Sequence, residues 1–92
     1  MSISQQLRLD NKIAIITGAS KGIGKAIARA LGQQGAKIVI ASRKQEAVED
    51  TANEFLAEGI EAIGIVAHMG DMVQVKNLAD QTIKHFGGID II

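Results

Sequence analysis

The sequence predicts an α/β fold in which a parallel sheet carries helices on both faces. Three observations point there. Short apolar runs alternate with amphipathic helical patterns along the 92 residues. The runs are continuous rather than alternating, as expected of strands buried on both faces. Apolar residues make up 47% of the chain, yet Phe55 and Phe86 are its only aromatics. The core must therefore be built from Ile, Val, Leu and Ala.

Residues 12–17, centred on Ile13-Ala14-Ile15-Ile16, read as the first strand. A glycine-rich turn follows, and residues 22–34 read as a helix with Ile23, Ile27, Ala30 and Leu31 at helical spacing. Gly35 stands where a left-handed residue commonly ends a helix. Residues 36–41 form the second strand around Ile38-Val39-Ile40. Arg43 or Lys44 opens a second helix that runs to Glu58, with Val48, Ala52, Phe55 and Leu56 on one face and Gly59 behind it. Residues 61–67 are a third strand, although Gly64 argues against a regular one. Asp71 has the short acidic side chain of a helix N-cap. The third helix places Val75, Leu78, Ala79, Thr82 and Phe86 on one stripe, expected to pack on the sheet, and ends at Gly87-Gly88. Residues 89–92 begin a fourth strand, where the sequence stops. The order is β-α-β-α-β-α-β, and right-handed crossovers give a sheet with strand order 3-2-1-4, truncated in its fourth strand. Residues 1–92 form part of a single domain, with no repeat, linker or low-complexity tract.

Composition excludes several functions. Ten basic and ten acidic side chains balance, and no basic run or aromatic platform suggests nucleic acid. No apolar run approaches the ~20 residues that span a bilayer. Residues 1–6 lack the apolar stretch of a signal peptide. Cysteine is absent, so there is no disulfide framework and no thiolate site, and a cytoplasmic location is expected. The acids Glu46, Glu49, Asp50, Glu54 and Glu58 spread along the outward face of one helix as a solvated surface rather than a metal or acid/base site. Asp71 and Asp80 form no acid pair, and His85 is expected to sit in solvent in the last turn of the third helix.

The turn carries the chemistry. Residues 17–24 read Thr-Gly-Ala-Ser-Lys-Gly-Ile-Gly. A strand that turns through three glycines into a helix start is a device for holding phosphate, because the first amides of a helix are unpaired and carry partial positive charge. The alternative is a tight turn with only a structural role. At the end of the second strand, Ser42, Arg43 and Lys44 offer a hydroxyl and two cations where a carboxylate would pair with the ribose of NAD. With Lys21 from the turn, they are suited to a 2′-phosphate, which points to NADP(H). A basic helix start on the surface is the plainer alternative, although it opposes the helix dipole.

Over essentially its whole length the chain resembles the short-chain dehydrogenase/reductase superfamily. The resemblance rests on TGASKGIG at residues 17–24, ASRK at 41–44 and FGGIDII at 86–92. It implies a Rossmann-type, NADP-binding domain, of which this chain is the N-terminal part. Gly18, Ser20, Lys21, Gly22, Ile23 and Gly24 would line the diphosphate and ribose. Ser42, Arg43 and Lys44 would hold the 2′-phosphate. Members usually carry an acid after the third strand, beside the adenine; here that place holds His68-Met69. His68 either contacts the adenine or makes a backbone bond at the strand end. This departure, with SRKQ after the second strand, is similar to NADP(H)-dependent carbonyl reductases near the retinol-reducing, peroxisomal branch.

The resemblance further implies hydride transfer between the nicotinamide and a small carbonyl or alcohol, with a tyrosine and lysine in a YxxxK motif serving as acid/base. This chain has no tyrosine and lacks the Asn-Asn-Ala-Gly segment that should follow the fourth strand. No catalytic or metal-ligating residue is assigned within it. It is expected to be the binding fragment of an oxidoreductase, inactive by itself, or else a non-catalytic nucleotide-binding or interaction module. No nucleic-acid or membrane partner is expected. The uncovered sheet edge predicts a homo-oligomer.

Overall fold

A computed structural model describes residues 9–91. Residues 1–6, considered above for a signal peptide, and the terminal Ile92 fall outside the described residues. The elements are β1 (Ile13–Thr17), α1 (Gly22–Gln33), β2 (Lys37–Ser42), α2 (Gln45–Ala57), β3 (Ala62–Val66) and α3 (Met72–Phe86). The strands are parallel. Ala14 stands beside Ile38, and Ile38 beside Ala62.

Helices cover both faces, which explains the unbroken apolar runs. On one face Ala14, Ile38 and Ile40 pack with Ala28 of α1 and with Val48, Ala52 and Phe55 of α2. On the other, Ile15, Val39 and Ile65 pack with Leu78 of α3. Thr82 is completely buried on this helix and donates its hydroxyl to the Leu78 carbonyl at 2.8 Å, so no polar atom is orphaned there. Among the described residues, no helix is long and apolar enough to cross a membrane.

Small residues set the distance between helix and sheet. Gly64 does not interrupt β3, because the backbone of α2 lies directly over it. A Cβ at residue 64 would fall 2.5 Å from the Val48 carbonyl oxygen. At Gly32 of α1 a Cβ would meet the Ile60 side chain at 2.5 Å.

This close seating corrects two expected faces. Ile23 is 79% exposed and Ile27 49%, and Ala30 is exposed as well; the buried side of α1 is Ala28 and Gly32, with Leu31 half-buried. The small residues win the contact because they let the helix approach, leaving the larger ones beside it. On α2, Leu56 is exposed while Val48, Ala52 and Phe55 are buried. Two of the acids on the outward face, Glu54 and Glu58, are exposed as expected and also have partners. Glu54 pairs with Lys25 and Arg29, each at 2.7 Å, and Glu58 takes Arg29 at 2.9 Å. The Arg29 guanidinium also lies 5.3 Å from the centre of the Phe55 ring, so these groups pin α1 to α2.

The three strands stand in the order β3-β2-β1. Ile91 makes one parallel bridge to Ala14. Its amide donates to Ile13 and its carbonyl accepts from Ile15. Those odd-numbered positions point away from β2, to which Lys12 and Gly18 bond. Ile91 therefore lies along the outer edge of β1, where a 3-2-1-4 order puts its fourth strand, but the contact is a single bridge and not a strand. Asp90 joins this edge, its carboxylate accepting from the Ile13 amide at 3.0 Å.

Two outcomes follow from this packing. Gly64→Ala drives a methyl into helix backbone that cannot yield cheaply, and should cost roughly 1–3 kcal/mol in urea unfolding. A cost within error of zero would mean that α2 shifts freely. The Glu54 carboxyl is held below its ordinary range by the Lys25 hydrogen bond first, then by the charges of Lys25 and Arg29. Its folded-state affinity for protons is lower than in the unfolded chain. The clamp therefore stabilises fully above the usual carboxylate range and is lost as pH falls through the depressed value. Glu54→Gln should flatten the acid limb of Tm against pH.

Candidate functional site

The parallel register brings the carboxyl ends of β1, β2 and β3 to one side of the sheet, where ligands of open α/β sheets bind. Two hydrogen bonds carry the pairing past the strand ends: Gly18 N–H to the Ala41 carbonyl at 3.1 Å and Ala67 N–H to the Ser42 carbonyl at 2.9 Å. The three loops that follow enclose an open cleft of about 620 Å³.

One wall is the glycine turn. Gly18 and Gly22 adopt φ of +68° and +63°, a left-handed backbone that disfavours any side chain. A Cβ at either would meet no protein atom within 4 Å, so the backbone is bare on its outer side. Gly24 has a different task, because its Cβ would fall 2.5 Å from the Gly18 carbonyl oxygen. The first turn of α1 therefore presses against the turn that precedes it. Lys21 is the N-cap of α1 but makes no side-chain cap, and no acid lies in the first turn. By contrast, Asp71 caps α3 with its carboxylate, accepting from the amides of Val73 and Gln74.

The second wall follows β2. Ser42 Oγ accepts from the Lys44 amide at 3.3 Å, which leaves the hydroxyl hydrogen free to donate elsewhere. Arg43 lies in the bend, Lys44 is the N-cap of α2, and α2 itself begins only at Gln45. Lys21, Arg43 and Lys44 are exposed, and none is paired with a carboxylate among the described residues. A hydroxyl and three cations without counter-charge among the described residues, beside the uncapped start of α1, suit this cleft to anionic groups. The third wall is the loop after β3, which contributes His68, Met69 and Gly70.

The profile of the short chain dehydrogenase family matches residues 12–92. The chain belongs to that family. Among curated relatives it is similar to a versicolorin reductase of Emericella nidulans, 48% identical across all of this chain and 35% of the relative. A tropinone reductase-like protein of Erythroxylum coca is 46% identical over 92% of this chain and 33% of its own length. The chain thus spans about a third of the length of these relatives. In structure it matches a hydroxysteroid dehydrogenase from Escherichia coli with a TM-score of 0.91, at 33% identity, over 99% of this chain and 38% of that one.

Of the positions singled out in the sequence, Gly18, Ser20, Lys21, Ser42, Arg43, Lys44, His68 and Met69 line the cleft. Gly22, Ile23 and Gly24 do not: the first two stand exposed at the helix start, and Gly24 faces the turn behind it. Thr17, Ala41, Ala47, Ala67 and Gly70 line the cleft without having been singled out. The three alanines carry no functional group, and Thr17 reads only as the end of the first strand and the opening of the glycine motif. Gly70 did carry a signal, as a glycine two residues after an unusual histidine. His85 is exposed, as expected, with its ring 4.7 Å from that of Phe86.

Gly24→Ala is the sharpest test of the turn, since its methyl would meet the Gly18 carbonyl and not a yielding side chain. A loss of roughly 1–3 kcal/mol is expected in thermal or urea unfolding, with amide chemical-shift changes centred on residues 17–24. Shifts confined to α1 would show that the turn is not coupled to the helix start.

Proposed function

We propose that this chain is the cofactor-holding part of an NADP(H)-dependent short-chain oxidoreductase, whose whole protein reduces a small carbonyl or oxidises the corresponding alcohol. The observation that carries the reading is the trio Lys21, Arg43 and Lys44, free of carboxylate partners among the described residues and set beside the uncapped start of α1. A carboxylate in the second wall would repel a 2′-phosphate and favour NAD; this wall has none.

Ser20 in the cleft, with the first amides of α1 just beside it, would hold the diphosphate. Arg43 would grip the 2′-phosphate through paired N–H donors, Lys21 and Lys44 would add point charges, and the Ser42 hydroxyl would donate to it. Met69 would offer an adaptable apolar surface to the base. The nicotinamide, when bound, supplies or accepts a hydride. The names of the relatives, reductases in two cases and a hydroxysteroid dehydrogenase in the third, support oxidoreduction. A cytoplasmic homo-oligomer without nucleic-acid or membrane partners completes the proposal.

Calorimetry with NADP(H) and NAD(H) tests it directly. NADP(H) should bind more tightly, and Arg43→Asp should reverse the order, with NADP(H) affinity falling on the order of ten- to a hundredfold for one lost charge-assisted contact. An unchanged preference would remove Arg43 from the site. The absence of tyrosine supports a second reading, in which the 92-residue chain binds nucleotide without catalysis. The purified chain should therefore show no carbonyl-dependent consumption of NADPH, and measurable turnover would place sufficient chemistry within these residues.

A further inference from the structure

His68 is exposed and lines the third wall of the cleft. Its Nδ1 accepts a hydrogen bond from the Gly70 amide at 3.0 Å, which closes the loop on its own side chain. An amide nitrogen can only donate, so this bond exists only while Nδ1 carries no proton. The contact is tight. A Cβ at residue 70 would lie 2.8 Å from His68 Cε1 and 3.1 Å from Nδ1, so the ring rests on bare glycine backbone. Both ends of the loop are anchored to the start of α3. The His68 amide donates to Gln74 Oε1 at 2.7 Å, and the Asp71 amide donates to the His68 carbonyl at 3.0 Å. Neither anchor depends on the charge of the imidazole, whereas the bond to Nδ1 is cut by a single proton.

We propose that His68 and Gly70 form a proton-operated latch in the wall of the cleft, closed over a neutral imidazole and released when the ring takes a second proton. Histidine is the side-chain type that ordinarily changes charge between about pH 5 and 8. Protonation sets two N–H donors face to face at Gly70, so the bond is lost and residues 69–70 are freed. The main chain at His68 stays anchored by Gln74. The released ring is an imidazolium, a fourth cation in the lining of the cleft. The charged groups around the loop are Lys21 from the glycine turn, Arg43 and Lys44 from the end of β2, and Asp71 at the start of α3. The Asp71 carboxylate is already engaged, accepting from the amides of Val73 and Gln74 and from Gln74 Nε2. An anion seated among the three cations attracts the imidazolium that protonation creates. Linkage then makes the effect reciprocal: protonation tightens anion binding by the same factor by which the anion promotes protonation. The latch goes beyond the nucleotide reading and needs only that the cleft takes anions.

The Gly70 amide, followed by proton–nitrogen NMR, reads the latch without any ligand. Protection from exchange is expected at about pH 8 and should be lost by about pH 5, in step with the titration of the His68 ring. A Gly70 amide whose shift and protection stay constant while that ring titrates would overturn the proposal. His68→Asn supplies an acceptor that takes no proton, so Gly70 should stay protected throughout. Gly70→Ala, whose methyl collides with the ring, should leave residue 70 unprotected even at the alkaline end. Coupling to an anion is read with sulfate, whose charge is constant over this range, at low ionic strength. The wild-type protein should bind sulfate about fivefold more tightly at the acid end, the size of one added charge near an exposed site, and His68→Asn should lose that change. Sulfate affinity independent of pH in the wild type would overturn the coupling. A latch that opens as expected while sulfate binds at neither end would overturn the anion reading of the cleft, and the nucleotide reading with it.

Discussion

The closeness of the helices to the sheet is the constraint on which the rest of this structure depends. Gly64, Gly32, Ala28 and Gly24 remove side-chain volume at four places where backbone or packed side chain must approach backbone. Each substitutes proximity for bulk: the core gains little area from these residues, and the elements gain fixed positions. At Gly24 the effect reaches the cleft, because the start of α1 can lie against Gly18 only if residue 24 has no Cβ. The amides at that helix start are then held where the strands end. A looser packing would preserve the fold class and lose the alignment of three loops on one side.

Charge is distributed in a way the net balance conceals. Acids and bases number the same, yet they are sorted. Lys25 and Arg29 are met by Glu54 and Glu58 across the α1–α2 contact, whereas Lys21, Arg43 and Lys44 at the cleft are met by none among the described residues. The first group joins exposed helices and contributes modestly. The second raises the local potential of an already electropositive helix start. The start of α1 thus has an exposed cation lining the cleft at its N-cap, Lys21, four residues before a paired one, Lys25.

Much of this was legible in the sequence. The three strands, the three helices and the Asp71 cap follow from continuous apolar runs, helical spacing and a short acid before an apolar stripe. The glycine turn and the basic residues after β2 named most of the cleft because their chemistry is distinctive. Where the reading failed, it had relied on amphipathicity. Ile23, Ile27 and Ala30 form a clear apolar stripe, yet the sheet takes the smaller Ala28 and Gly32, a preference set by Ile60 across the contact and invisible to periodicity. Leu56 misled for the same reason. Glu54 and Glu58 are exposed as expected, but their ion pairs were not legible, because Arg29 lies some 25 residues back in the chain. Of the two roles expected for His68, the structure shows the backbone bond, with Nδ1 accepting from the Gly70 amide.

The unmatched cations have a practical side. Positive groups with no fixed counter-charge recruit whatever anions the solution supplies, with an avidity that falls as ionic strength rises. Sulfate, phosphate and citrate are all suited to that role. An affinity measured for this cleft in phosphate buffer is therefore an exchange constant between two anions. The same protein in a chloride or zwitterionic medium will report a different number for an unaltered interaction.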